Sequence, residues 1–240
     1  MTEKELRQKV VSTALAWLGT REYSAKHQEM LDIYNSQSPL PRGTRMLASW
    51  PWCAAFVSTV SLQCGLRDIM PTECGCPGMV RLYQELGRWV EDDAYVPSPA
   101  DVVFYDWQDT GYGDNAGQPD HVGIVTACDG QTMTIVEGNC DNAVKTRSLA
   151  VNARFIRGYG VPDFASKADG AEPQPKPAPE PTPQPEPEKP AKESAVDPFI
   201  TKTAREVIAG KWGNGQARKD ALAARFVKAV QDEVNRILGG

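Results

Sequence analysis

The sequence predicts an α+β fold in which helices pack on one antiparallel sheet. Helical spacing of apolar residues dominates residues 1–89, whereas short β-branched and aromatic runs separated by turn residues dominate residues 101–160. A proline-rich run at 172–187 then separates a short C-terminal segment from the rest of the chain. These observations predict an α+β domain, a linker and a small helical module.

Three helices are predicted in the first part of the chain. Thr2 and Glu5 form a capping-box pattern that begins a helix ending at Gly19. A second helix is predicted over 52–64, where Gly65 supplies a stop signal, and a third over 77–89.

The strands follow the helices along the chain. A tight turn at Asp129-Gly130 lies between two of them and predicts a hairpin. The four predicted strands cover residues 101–105, 121–126, 132–138 and 154–160.

The linker is defined by the run EPQPKPAPEPTPQPEP, in which proline occupies every second position. Such a run forms neither a helix nor a sheet ladder, and it favours an extended polyproline II spacer. The predicted organisation is therefore an α+β domain over 1–164, a Pro-rich linker over 165–196 and a small three-helix bundle over 197–240.

Composition and charge exclude several function classes. The net charge is −5, and no basic stripe interleaved with aromatic residues appears, which argues against nucleic-acid binding. No apolar run reaches the roughly 20 residues that span a bilayer, so membrane insertion is not expected. The charged, amphipathic start lacks the pattern of a secretory signal, and we expect synthesis in the cytoplasm.

Cys53 is the candidate nucleophile. It follows Pro51 at the predicted start of a helix, where backbone N–H groups stabilise a thiolate and face an oxyanion. The alternative is a buried structural cysteine, which we expect for Cys64, Cys128 and Cys140.

Two histidines compete for the role of base. His121 opens a strand directly after a turn-rich loop, a position from which a side chain can face a cleft. His27 lies in a polar, helical-looking stretch and is most simply a surface residue. If the predicted hairpin forms, either Glu137 or Asn139 can accept a hydrogen bond from the imidazole of His121.

The remaining cysteines do not predict a metal site. Cys64, Cys74 and Cys76 lack the paired spacing of a zinc site, and His27 is the nearby imidazole. Buried thiols are the expectation for this group.

Four segments together, WCAAFV, PADVVFYDW, DHVGIV and TIVEGN, resemble the CHAP domain, the family of cysteine, histidine-dependent amidohydrolases/peptidases with a papain-like fold. The resemblance covers about 1–164. It implies that Cys53 is the nucleophile, that His121 is the general base, that Glu137 orients His121, and that Asn139 is an accessory polar group. Many members carry glutamine just before the cysteine as an oxyanion donor, whereas this sequence has Trp52 there.

The resemblance does not extend to the calcium loop of some CHAP domains. An Asp-rich N-terminal loop is not found, and the spacing of Asp106, Asp109 and Asp114 matches a calcium loop poorly. Neither a metal nor any other cofactor is expected.

The C-terminal segment contains IAGKWGNG and resembles the Cpl-seven type of wall-binding repeat, which implies a three-helix bundle that binds muropeptide. Its glycines allow close backbone approach to a ligand, and Trp212 can stack on a sugar. Alternatively, the glycines only turn the chain and Trp212 belongs to the core. The predicted ligand-binding residues are Arg205, Gly210, Trp212, Gly213, Asn214, Gly215 and Arg218.

The sequence thus predicts a peptidoglycan hydrolase of the amidase or endopeptidase type, with Gram-positive peptidoglycan as its partner. A lytic domain beside a wall-targeting repeat suggests a phage or prophage endolysin, made in the host cytoplasm and acting on the wall after release. A host autolysin and a non-catalytic wall-binding adhesin are the alternatives. Nothing in the sequence predicts the oligomeric state.

Overall fold

The computed structural model describes residues 1–92, 94–108 and 117–169. This part of the chain contains four α-helices, two short 3-10 helices and one six-stranded antiparallel sheet. The predicted α+β class is therefore confirmed. The three-helix bundle predicted over 197–240 and nearly all of the linker lie outside the described residues.

The sheet has the strand order β1-β6-β2-β3-β4-β5, and every neighbouring pair is antiparallel. The helices are α1 (Glu3–Leu15), α2 (Ala25–Asn35), α3 (Cys53–Cys64) and α4 (Cys76–Glu85). The strands are β1 (Trp89–Val90), β2 (Val102–Tyr105), β3 (His121–Cys128), β4 (Thr132–Cys140), β5 (Ala143–Ala150) and β6 (Ile156–Gly160).

The capping signals in the sequence act as expected. The backbone N–H of Thr2 donates to Glu5 Oε2 at 2.7 Å, and the Glu5 N–H donates back to Thr2 Oγ1 at 3.3 Å. At the C-terminal end of α3, Gly65 adopts the left-handed conformation, with a φ of 71°. The first helix ends at Leu15, and turn residues continue to Gly19.

The third predicted helix ends earlier than expected, at Glu85. Gly87 has a φ of 66°, and the Arg88 N–H bonds back to the Tyr83 carbonyl at 2.8 Å, which closes the helix. Trp89 then pairs with Gly160 in the sheet. Strand pairing, which is a long-range interaction, removed these residues from the helix.

Strand β5 was not predicted. Most of its residues beyond Ala143 and Val144 are exposed or partly exposed, because it is an edge strand of the sheet. Its sequence, AVKTRSLA, therefore lacks the regular apolar alternation of a half-buried strand.

Helix α3 is the centre of the core, since ten of its 12 residues are buried. It packs against α1, α2, β3 and β4. Its buried hydroxyl groups donate to carbonyl oxygens of neighbouring segments: Ser58 to Glu73 at 2.8 Å, and Thr59 to Met30 at 3.1 Å. A helix held on all sides in this way fixes the position of Cys53 at its first turn.

The two faces of the sheet carry two different clusters. Phe104, Val122 and Val136 belong to the main core with the helices, whereas Tyr105 and Ile135 belong to a second cluster on the other face. Within the described part of the chain, no helix is both long and apolar enough to cross a membrane.

Candidate active site

Cys53 is the first residue of α3, and its side chain is only 4% exposed. The preceding residue, Trp52, makes no side-chain hydrogen bond that would cap the helix. No side chain of Trp52 therefore occupies the first backbone N–H groups of α3, which remain available to bind a group in the site. One of them, the Ala54 N–H, interacts with the Cys53 sulfur. This is the environment that the sequence predicted for the nucleophile.

His121 is the first residue of β3, where it pairs with Tyr105 of β2. Its ring stacks on the Tyr105 ring, with the centroids 5.8 Å apart. The imidazole and the Cys53 thiol are close enough for each to shift the pKa of the other, although the two residues are far apart in sequence. The structure therefore brings together the two residues named as nucleophile and base.

The hairpin of β3 and β4 brings Glu137 back to His121, as predicted. Glu137 pairs with Gly123, and its Oε2 lies 3.3 Å from His121 Nε2. Because Nε2 faces the carboxylate, Nδ1 is the ring nitrogen left for the thiol. A Cβ atom at Gly123 would lie 2.9 Å from Glu137 Cγ, so the glycine makes room for the glutamate.

Asn139 occupies a different environment from Glu137. It has a φ of 57°, lies where the β4–β5 register shifts, and is partly buried. Of the two residues that the sequence left open, Glu137 is the one that contacts the imidazole. The accessory role of Asn139 stays a prediction.

Arg147 is a member of the site that the sequence did not indicate. Its Nε donates to Glu137 Oε1 at 2.7 Å, so His121 and Arg147 hold the two oxygens of one fully buried carboxylate. The Arg147 guanidinium also lies 4.8 Å from the centre of the Trp107 ring. No motif marks an arginine on an exposed edge strand, and only the pairing of β4 with β5 reveals its role.

Two family models match the chain. A CHAP domain matches residues 45–139, and a CW_7 repeat matches residues 202–238. The chain contains a CHAP domain. The first match includes Cys53, His121 and Glu137, the three residues of the site described above. No curated protein and no solved structure matches the chain.

The two matches occur in the order expected from the sequence. The CHAP match lies inside the predicted segment 1–164, and the CW_7 match lies inside the predicted segment 197–240. The exact segment boundaries stay predictions. All seven residues predicted to bind muropeptide fall within the CW_7 match and outside the described residues: Arg205, Gly210, Trp212, Gly213, Asn214, Gly215 and Arg218.

The charges of the CHAP site support one another. A hydrogen bond from Cys76 lowers the pKa of Cys53; burial opposes this shift, and His121 adds to it, so the pKa falls well below its usual value. Burial alone would lower the pKa of His121, but its bonds to Cys53 and Glu137 outweigh burial and raise the pKa to about 9. Both shifts favour a thiolate on Cys53 beside an imidazolium on His121.

Glu137 completes this charge arrangement. Burial tends to raise the pKa of its carboxyl group, but the bonds to His121 and Arg147 outweigh burial and lower the pKa to about 2. The carboxylate is therefore ionised throughout the range in which the thiolate and imidazolium exist. It orients the ring and stabilises the positive charge on it.

His27 is not a surface residue, and that expectation was wrong. It is fully buried, with Nδ1 accepting from the Tyr23 N–H at 3.1 Å. Helix α2 is amphipathic, and His27 lies on its buried face with Met30 and Tyr34. The polar residues next to His27 in the sequence made this buried face difficult to predict.

Trp52 packs against His27, with the ring centroids 4.7 Å apart, and is fully buried. A Cβ atom added to Gly138 would lie 3.0 Å from the Trp52 ring, so β4 covers its other side. At the position where many CHAP domains have glutamine, this chain thus has a core residue. Neither Trp52 Nε1 nor His27 Nε2 has a hydrogen-bond partner among the described residues.

Burial of the cysteines is confirmed for Cys64 and Cys76, and it was wrongly expected for Cys74, Cys128 and Cys140. Cys53, Cys64 and Cys76 are buried, whereas Cys74, Cys128 and Cys140 are partly exposed, and all six are free thiols. Cys128 and Cys140 are the last residues of β3 and β4, where each strand leaves the buried part of the sheet.

No group of three or more metal-ligating side chains occurs in the part of the chain that the structure describes. Asp106 is buried and accepts from the Gln108 N–H at 3.0 Å. Asp109 and Asp114, considered with it as a calcium loop, lie outside the described residues.

Proposed function

We propose that this chain is a peptidoglycan hydrolase that cleaves an amide bond of the stem peptide, as an amidase or an endopeptidase. The observation that carries the proposal is the grouping of Cys53, His121 and Glu137, in which His121 interacts with both the thiol and the buried carboxylate, within a CHAP domain. The CW_7 repeat in the same chain supports the cell wall as the place where that chemistry is used.

In the first half of the reaction, the Cys53 thiolate attacks the amide carbonyl carbon. Negative charge develops on the carbonyl oxygen, and the backbone N–H of Cys53 at the start of α3 is placed to stabilise it. The imidazolium of His121 then donates its proton to the amine nitrogen. The C–N bond breaks, the amine leaves, and an acyl thioester to Cys53 remains.

In the second half, neutral His121 takes a proton from water while the oxygen attacks the thioester. The C–S bond breaks, the acid product leaves, and the thiolate and imidazolium are restored. Glu137 stays ionised throughout, because its pKa is about 2, and it holds the ring through Nε2.

The direct test measures loss of turbidity of purified walls with the full chain and its Cys53→Ala variant. Cys64→Ala is the matched control, because Cys64 is buried in the same helix but at its opposite end. We expect Cys53→Ala to abolish clearing and Cys64→Ala to retain it. Clearing by Cys53→Ala at the parent's rate would reject the mechanism.

Mass spectrometry of the digested walls identifies the bond. A new N-terminal alanine on the stem indicates an amidase, whereas a new N-terminus within the stem or cross-bridge indicates an endopeptidase. Release of reducing sugar ends without new amino groups would contradict amide hydrolysis altogether.

Wall binding is tested separately on the full chain. We propose that the CW_7 repeat binds the muropeptide of Gram-positive walls, with Trp212 stacking on a sugar ring. Cys53→Ala protein should sediment with walls, and adding Trp212→Ala should reduce the bound fraction. An unchanged bound fraction, with the variant still folded, would assign Trp212 to the core instead.

We also propose that the hydrolase is an endolysin that acts after release from the cell in which it is made. Combination of a CHAP domain with a wall-binding repeat supports this role. Expression in a Gram-positive host should cause lysis only when a pore-forming membrane protein is expressed with it. Lysis without that partner would favour an autolysin that reaches the wall by itself.

A further inference from the structure

A second thiol lies against the nucleophile. The Sγ atoms of Cys53 and Cys76 are 3.7 Å apart, and each side chain is 4% exposed. The sequence separates these cysteines by 23 positions, and neither spacing nor motif links them. Their contact is a product of the tertiary fold.

Both cysteines occupy the same position in their helices. Cys53 is the first residue of α3, and Cys76 is the first residue of α4, which follows Gly75 as its N-cap. The N-termini of two helices therefore meet at the two sulfur atoms. Each N-terminus carries partial positive charge, which favours a thiolate on Cys53, whereas the hydrogen bond to Cys53 raises the pKa of Cys76 well above its usual value.

The other four thiols have different neighbours. Cys64 donates to Thr13 Oγ1, Arg42 donates to the Cys74 sulfur, and Arg147 donates to the Cys140 sulfur. Cys128 accepts from the Gly130 N–H. All six cysteines lie within the described residues. Among them, Cys53 and Cys76 are the two whose thiols contact each other.

The separation of 3.7 Å is a non-bonded contact between two reduced thiols. A disulfide requires about 2.05 Å between the sulfurs, so the two side chains must turn toward each other before the bond forms. The two buried thiols are in direct contact. Oxidised Cys53 therefore has a resolving thiol beside it.

We propose that Cys53 and Cys76 form a reversible disulfide when the protein meets a peroxide, and that this bond switches off and protects the nucleophile. The proposal goes beyond wall hydrolysis, because it concerns the oxidation chemistry of the two sulfurs alone.

The Cys53 thiolate attacks one oxygen of hydrogen peroxide, the O–O bond breaks, and Cys53 becomes a sulfenic acid. The leaving hydroxide takes the proton of the His121 imidazolium and departs as water. Cys76 then attacks the Cys53 sulfur, the S–O bond breaks, and the hydroxyl leaves as a second water with the Cys76 proton. Two thiol groups thus reduce one peroxide and lose two electrons to become a disulfide.

The disulfide has two consequences. It removes the thiolate, so the enzyme cannot attack an amide. It also blocks further oxidation of Cys53 to the sulfinic and sulfonic acids, which thiol reductants do not reverse. A dithiol such as dithiothreitol attacks the disulfide and restores both thiols.

The test exposes the full chain to hydrogen peroxide, measures its intact mass, and then adds dithiothreitol. The parent should lose about 2 Da, the mass of two hydrogen atoms, and should return to its original mass on reduction. Digestion without reduction should yield one peptide pair joining Cys53 to Cys76. These readouts use mass only, so they stand or fall independently of wall hydrolysis.

Cys76→Ala is the decisive variant, and Cys74→Ala is its matched control. Cys76→Ala should gain oxygen atoms at Cys53. After prolonged exposure, the fraction of this variant that dithiothreitol returns to its original mass should be at least about tenfold lower than for the parent. Cys74→Ala should behave as the parent does. Each variant is compared with its own untreated sample, and only masses are compared. A difference in wall-hydrolysing activity between variants therefore does not affect the result.

Three results would overturn the proposal. The first is a parent protein that gains oxygen instead of losing hydrogen. The second is a Cys76→Ala variant that recovers as fully as the parent. The third is a disulfide that joins Cys53 to a cysteine other than Cys76. Circular dichroism of the untreated variants identifies any that fail to fold, and Cys76→Ser then replaces Cys76→Ala.

Discussion

Arg147 and Glu137 lie on adjacent strands, and the guanidinium Nε donates to the carboxylate Oε1 at 2.7 Å. Arg147 pairs directly with Ile135, so it reaches Glu137 diagonally, two residues along β4 on the same face. The other carboxylate oxygen faces His121 Nε2. One buried carboxylate thus joins an edge strand of the sheet to the imidazole of the site.

Glu137→Gln should lower kcat/KM by roughly 100-fold, because the neutral amide orients the ring less well and does not stabilise the imidazolium. The pKa of His121, about 9 in the parent, should fall, since it loses a carboxylate partner. The pH dependence of wall hydrolysis measures this as a shift of the alkaline limit toward neutral pH. A loss of rate without that shift would contradict the role given to Glu137.

Arg147→Met should reduce activity most strongly at acidic pH. Without the guanidinium, the pKa of Glu137 rises from about 2, so the carboxylate is protonated at a higher pH. Arg147→Lys should retain part of the effect, since a charge remains but the planar fork is lost. Arg81→Met, a change at an exposed arginine of α4, is the control and should leave the pH profile unchanged.

The thiolate–imidazolium pair predicts an active range bounded by two groups. Activity should begin well below the usual pKa of a thiol, because the pKa of Cys53 is lowered, and should decline through about pH 9 as His121 loses its proton. Alkylation of Cys53 by iodoacetamide should follow the acidic limit. In His121→Ala, that limit should move to higher pH. An unchanged limit would show that His121 does not affect the ionisation of Cys53.

His121 also links this range to stability. Its folded pKa is raised above the unfolded value of 6.5, so its contribution to stability is complete below 6.5 and is lost as pH rises through about 9. Cys53 has the opposite sign, because its pKa is lowered and its contribution to stability therefore grows as pH rises toward the usual pKa of a thiol, which offsets the loss from His121. The midpoint of urea unfolding should therefore rise more steeply with pH in His121→Ala than in the parent, and an equal slope would assign the trend to other groups.

Gly123→Ala should displace Glu137 and destabilise the sheet by about 1–3 kcal/mol. The new Cβ would lie 2.5 Å from Ile135 Cγ2 and 2.9 Å from Glu137 Cγ. Added to Glu137→Gln, the substitution should cause little further loss of kcat/KM, because both changes disturb the same contact. Fully additive losses in a double-mutant cycle would show that Gly123 acts through something else.

The buried His27 predicts a loss of stability in acid. Burial lowers its pKa below 6.5, an effect that Glu22 partly offsets, so the unfolded chain binds a proton that the folded chain resists. Stability should fall as pH drops below 6.5, until His27 is also protonated in the folded state. Urea unfolding of His27→Gln should show a weaker dependence on pH in that interval. A slope equal to that of the parent would rule out His27 as the source.

The sequence by itself determined the parts of this protein that depend on local signals. The capping box at Thr2, the stop at Gly65 and the turn at Asp129-Gly130 each act through residues only a few positions apart. The hairpin then places Glu137 beside the start of β3, because strand length and turn position fix which residues face each other. For these reasons the α+β class could be predicted, and so could the return of the segment with Glu137 and Asn139 toward His121, although the choice between those two residues could not.

Only the tertiary structure decided the remaining contacts. Cys76 touches Cys53 because two helix N-termini converge, and Arg147 reaches Glu137 because an edge strand adds to the sheet. His27 is buried because α3 covers one face of α2, which a polar local sequence does not reveal. Each of these contacts joins segments whose relative positions are set by packing of the whole domain, and no local pattern of residue types encodes that packing.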